Sequence, residues 1–145
     1  MDWKKESMQE LREYRKRKAS LTSIRENIDT IKAEMSGIKS QLGSDGVGGG
    51  TSDADSRIVN LIVKKDKLEK TLSIASRNCS MVEDGLALLS DDERLILDEF
   101  YINPTGHHVE RLCDALHLEK SRIYLRKDQA LRSYTIARYG ITEVI

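Results

Sequence analysis

The chain has 145 residues and is formally uncharged at pH 7, with 24 Lys and Arg balancing 24 Asp and Glu. At 39% apolar, 33% charged and only 5% aromatic it favours long exposed helices over one thick core, and the zero balance excludes a global attraction to nucleic acid or membrane, so any such affinity must come from local patches. No N-terminal stretch joins a basic start to an apolar run, and two cysteines, Cys79 and Cys113, make no disulfide framework; a reduced, cytoplasmic protein that does not enter a membrane is expected.

The chain opens on Lys4, Lys5, Arg12, Arg15, Lys16, Arg17 and Lys18, interleaved with Glu6, Glu10, Glu13, Trp3 and Tyr14. Spacing of this kind reads as a solvated helix carrying its own ion pairs, with a DNA-backbone contact as the sharper alternative. Leu21, Ile24, Ile28, Ile31, Met35, Ile38 and Leu42 then step alternately by three and four, which is the stripe of a coiled coil. Residues 43–52 are too glycine-rich to continue a helix and flexible enough to reverse the chain. Ile58, Leu61, Leu68, Leu72, Ala75, Cys79, Val82, Leu86 and Leu89 resume the rhythm, broken by Lys65 and widened by Val59 and Ile62. Residues 1–89 therefore predict an antiparallel, coiled-coil-like helical hairpin. Its second helix, on the order of 50 Å long, is too long for a small domain to cover, so self-association into a dimer through a four-helix arrangement is expected.

Ser90 and Glu93 form a capping box that starts a new helix, and the turn Asn103-Pro104-Thr105-Gly106 closes it. Val109, Leu112, Ala115 and Leu116 give the apolar side of a short helix; Ile123, Ala130, Leu131 and Tyr134 give that of the next. Only a tight turn fits between them. Residues 90–145 thus predict a small three-helix domain containing a helix-turn-helix, and the whole chain is all-α. In such motifs the second helix lies in the major groove and presents its N-terminal residues to base edges. Lys120, Ser121, Arg122, Tyr124 and Leu125 hold those places, and Arg126, Lys127, Arg132 and Arg138 continue the positive charge against Asp128 alone. His108 stands near a helix N-terminus where a phosphate could approach. A cationic helix of this kind suits double-stranded DNA, because each phosphate neutralised releases counterions.

Asp92-Glu93-Arg94 with Ile96-Leu97 and Tyr101, then Leu112 to Leu118, then Ser121-Arg122-Ile123 and Ala130-Leu131 resemble the promoter-reading region four of bacterial sigma factors. With Ala137-Arg138-Tyr139-Gly140 and the helical front half, the whole chain is similar to the small phage late-gene transcription regulators of the RinA or ArpU type. The resemblance implies promoter-proximal duplex binding and contact with RNA polymerase. Four residues depart from the pattern. His117 replaces the usual turn Gly, and a Cβ in the left-handed region costs roughly 1 kcal/mol. Glu119 holds an N-cap place commonly taken by Ser or Thr. Leu125 and Arg126 look exchanged, putting an apolar side chain, suited to thymine methyls, at a base-reading place and a guanidinium at a core-facing one.

No residue pattern suggests catalysis: the connector glycines lack the Lys-Ser/Thr of a phosphate loop, and the acids at 91–93 suit a helix start. No cofactor is expected. Cys113 with His107, His108 and His117 matches no common zinc spacing, so no metal is expected either, and both cysteines read as small core or boundary residues. The alternative to a transcription regulator is a structural or packaging adaptor, akin to small phage terminase subunits, in which the hairpin mediates oligomerisation.

Overall fold

The computed structural model describes residues 1–45 and 51–140, and every regular element within them is helical. In chain order these are α1 (Trp3–Asp45), α2 (Thr51–Ala87), α3 (Asp91–Leu97), a single π-helical turn (Asp98–Ile102), α4 (His108–Leu116) and α5 (Lys120–Tyr139). Helix takes both edges of the connector expected at 43–52; its centre, 46–50, and the last five residues of the domain expected at 90–145 lie outside the described residues. The residues form two compact units, Met1–Lys18 with Arg77–Ile145, and Ala19–Ser76.

The second unit pairs the middle of α1 with the first part of α2. Leu21, Ile28, Ile31 and Ile38 are buried, while Ile24 and Met35 are half-buried. Ile28 of α1 and Leu72 of α2 line one shallow cavity with Arg25, Asp29, Lys32 and Glu69, so the two helices come together at that level. The α2 stripe is less well covered: Ile58, Leu61, Leu68 and Leu72 are only half-buried, and Val59 and Ile62 are exposed. Lys65, the interruption, lies half-buried with its ammonium 3.9 Å from Glu69.

The first unit holds one core, built from Leu11, Val82, Leu89, Ile96, Leu97, Tyr101, Ile102, Leu112, Ile123, Ala130, Leu131 and Tyr134. Its local signals work as the sequence predicts. Glu93 N–H donates to Ser90 Oγ at 3.2 Å and Ser90 N–H to Glu93 Oε1 at 3.1 Å, completing the capping box. Burial by itself would raise the Glu93 carboxyl, but the bonds from Ser90 and Ser133, with Arg126 nearby, outweigh it and hold the group below the usual carboxylate range. The helix then widens to a π turn in which Asn103 N–H reaches the Asp98 carbonyl at 2.8 Å. That extra residue lets Glu99, Tyr101 and Ile102 all be buried, with Glu99 held by Arg111 at 2.9 Å.

Periodicity gave no sign that the first eighteen residues belong with α5. Leu11 is fully buried in the core, and Ser7 Oγ lies 2.7 Å from Thr135 Oγ1 in a buried hydrogen bond. Glu10 accepts from Tyr134 Oη at 2.6 Å, Arg138 Nε at 2.9 Å, Arg138 Nη2 at 3.1 Å and Tyr139 Oη at 3.2 Å. Tyr14 and Lys18 both donate to Glu83, at 2.7 and 2.6 Å, and Trp3 packs on the Tyr139 ring. The solvated helix expected here does carry its own Glu13–Arg17 pair, but its other face is core. Gly85 permits the close approach of α2 to α5, because a Cβ there would lie 3.2 Å from the Tyr134 ring.

Burial and the neighbouring carboxylates keep these phenols neutral. The Tyr14 hydroxyl is pushed up to about 12 by desolvation and its bond to Glu83, and that of Tyr139 to about 12 by desolvation and Glu10. An unfolded tyrosine titrates near 10, so the stabilisation is fully present below about pH 10 and is lost as pH rises towards about 12. The urea midpoint should accordingly fall between about pH 9.5 and about 11.5. A Tyr14→Phe/Tyr139→Phe variant should show a shallower fall, and identical alkaline profiles would contradict this assignment.

Candidate nucleic-acid interface

The joint between α4 and α5 follows the expected pattern. His117 takes the left-handed conformation, φ 56° and ψ 44°, ending α4, and its N–H closes on the Cys113 carbonyl. Glu119 is extended and makes no side-chain cap, so α5 begins with uncapped amides. Glu119→Ser should supply an oxygen for those amides and raise stability by about 0.5–1 kcal/mol in urea unfolding. An unchanged midpoint would show that the end is already satisfied.

Ile123, fully buried, seats the first turn of α5, with Ala130, Leu131 and Tyr134 behind it. Ala115, expected on the apolar side of α4, is instead exposed. At about 100° per residue it falls outside the arc of Val109, Leu112, Cys113 and Leu116, and the half-buried Cys113 takes its place.

Ile123 fixes which side of α5 faces outward. Lys120, Ser121, Arg122, Leu125, Gln129 and Arg132 are exposed, and Leu125 retains 46% of its surface. None of Lys120, Arg122 and Arg132 has a carboxylate within ion-pair distance among the described residues. From Lys120 to Arg132 the helix rises about 18 Å, enough to place cations along a groove.

The other candidates are held more tightly. Lys127 Nζ sits over the rings of Phe100 and Tyr124, 5.4 and 5.5 Å from their centroids, and 3.8 Å from Asp128. His108 packs its edge on Phe100, with Nδ1 2.8 Å from the Thr105 carbonyl oxygen, so one ring nitrogen is committed to the loop. Tyr124 meets Phe100 edge-on at 6.0 Å while staying 41% exposed. Phe100, which the sequence did not single out, therefore gathers His108, Tyr124 and Lys127 beside the start of α5. The π turn carries it there. Gln129 was also overlooked, although its place one turn beyond Leu125 puts it on the same outward face.

Arg126 is not in the core, which corrects the apparent exchange with Leu125. It is half-buried at the flank of α5, close enough to Glu93 to help lower that carboxyl, so its guanidinium has a local partner and, of these two residues, only Leu125 departs from the pattern. Arg138, counted with the basic residues of this helix, is neutralised by Glu10 and belongs to the core rim. In the N-terminal segment Arg15 and Lys16 are exposed, whereas Arg17 pairs with Glu13 and Lys18 with Glu83.

Cys79 is buried and Cys113 half-buried, both as free thiols, and among the described residues no three His, Cys, Asp or Glu side chains group together as a metal site. No helix of the described residues is long and apolar enough to cross a membrane. Neither a protein-family model, nor a curated protein, nor a solved structure matches the chain.

Proposed function

We propose that this protein is a sequence-specific double-stranded DNA-binding transcription regulator of the phage late-gene type, working in the cytoplasm, which lays the first turns of α5 in a major groove. One observation carries the reading. The first turns of α5 expose Lys120, Ser121, Arg122 and Leu125 while the opposite side is fixed by Ile123, and the cations the helix presents, Lys120, Arg122 and Arg132, are not consumed by carboxylates among the described residues. Lys127 and His108, tethered around Phe100, stiffen the flank, and Ser121, Leu125 and Gln129 face bases. A dimer would present two such helices and raise affinity through effective concentration. The sigma-like residues of α3 and α4 leave room for contact with RNA polymerase during promoter binding.

In vitro selection of bound duplexes from a random pool tests this directly. A regulator should enrich one motif and prefer it to random DNA by several kcal/mol. A pool that stays random would reject the reading and favour the packaging-adaptor alternative. On the selected motif, Leu125→Ala should weaken binding about fivefold and relax the preference for thymine at one position, since losing one read base pair costs on the order of 1 kcal/mol or more. Unchanged affinity and preference would remove Leu125 from the base-reading set.

A further inference from the structure

Between Val59 and Ile74, α2 carries an apolar strip that its own unit does not cover: Val59, Ile62, Val63 and Ile74 retain between 39% and 64% of their surface. At about 100° per residue these four fall within one arc of the helix, and Asp66 and Lys70 lie in the same arc between them, both exposed. The half-buried Leu61, Leu68 and Leu72 point the other way, towards α1. This is a second face of the helix, not an extension of the first.

The charges on that face decide what can lie on it. Asp66 and Lys70 make no ion pair with another described residue, although the neighbouring Lys65 and Glu69 do. They are also placed symmetrically. Ile62 and Ile74 are equidistant in sequence from Leu68, and so are Asp66 and Lys70. If an identical helix is laid antiparallel on the face, with a two-fold axis at the level of Leu68, Ile62 meets the Ile74 of its mate and Asp66 meets the mate's Lys70. Each pairing occurs twice. A parallel copy in register would instead oppose aspartate to aspartate and lysine to lysine. Two helices alone give a thin core, so burying this strip also supplies what the second unit lacks.

We infer that the Val59–Ile74 face of α2 is a self-docking surface, on which a second copy of this chain lies antiparallel with reciprocal Asp66–Lys70 ion pairs at the dyad. The surface is independent of the DNA reading, and its test needs no DNA.

Sedimentation equilibrium of the full chain should show wild type as a dimer at tens of micromolar. Asp66→Lys puts only cations at the dyad, and Lys70→Asp puts only anions there, so each variant by itself should dimerise at least tenfold more weakly. An equimolar mixture of the two should recover dimerisation, because every cation then meets an anion across the axis. Ile62→Ser/Ile74→Ser should weaken the dimer with no rescue by either partner. Helicity by circular dichroism should be unchanged throughout, since all four positions are exposed. A monomeric wild type, single variants that dimerise as tightly as wild type, or a mixture no tighter than its components would each overturn the inference.

Discussion

Replacing Glu10 with Ala should lower the free energy of unfolding by about 3–4 kcal/mol, the largest single-residue effect outside the apolar core. Glu10 and Arg138 retain only 12% and 14% of their side-chain surface, so water offers little compensation once the carboxylate is gone. The substitution strips an acceptor from the guanidinium and from the hydroxyls of Tyr134 and Tyr139 at once. A donor left unpaired at a buried site costs more than a broken surface bridge, which is worth about 1 kcal/mol or less. Glu10→Gln, which keeps one carbonyl oxygen in place, should cost roughly half as much. In a double-mutant cycle Glu10→Ala and Arg138→Ala should be non-additive by about 1–3 kcal/mol. Urea unfolding of the four proteins checks this, and a fall below about 0.5 kcal/mol for Glu10→Ala would mean that the Glu10 carboxylate does not help to hold α1 on the C-terminal half of α5.

Lys120→Ala/Arg122→Ala/Arg132→Ala should reduce affinity for the selected duplex on the order of a hundredfold near physiological salt. It should also flatten the log-log salt dependence by about 2.7, at roughly 0.9 for each phosphate that the variant no longer neutralises. The effect should be common to specific and random duplexes where these residues meet phosphates; an additional loss of preference for guanine would identify Arg122 or Arg132 as a base reader. Lys127→Ala offers the contrast. Its ammonium is already engaged by Phe100, Tyr124 and Asp128, so its removal should change the salt slope by less than any one of the three exposed cations. Fluorescence anisotropy across a salt series measures both. A triple variant that binds like wild type would remove the α5 face from the interface altogether.

Much of the candidate interface was legible in the sequence because its signals are local. Ser90 and Glu93 are three residues apart and satisfy each other's backbone; a capping box needs no distant partner. His117 takes the left-handed turn expected of it because only a few residues join α4 to α5. Ile123, Ala130, Leu131 and Tyr134 are all buried, since helical phase by itself puts them on one side. The same reasoning failed on the nine-residue α4, where two turns leave the phase poorly determined and Ala115 fell outside the stripe.

The sequence by itself determined that the chain is helical, where its C-terminal helices start and stop, and which side of α5 is buried. Those properties depend on periodicity and caps acting within a few residues. Only the tertiary structure decided which charges remain available to a ligand. Arg138 is withdrawn by Glu10 across 128 positions, Lys127 is held by a phenylalanine on a π turn, and Lys120, Arg122 and Arg132 meet no carboxylate among the described residues. An ionic or cation-π partner is chosen by proximity in three dimensions, and a pattern of residue types along the chain carries no record of that distance.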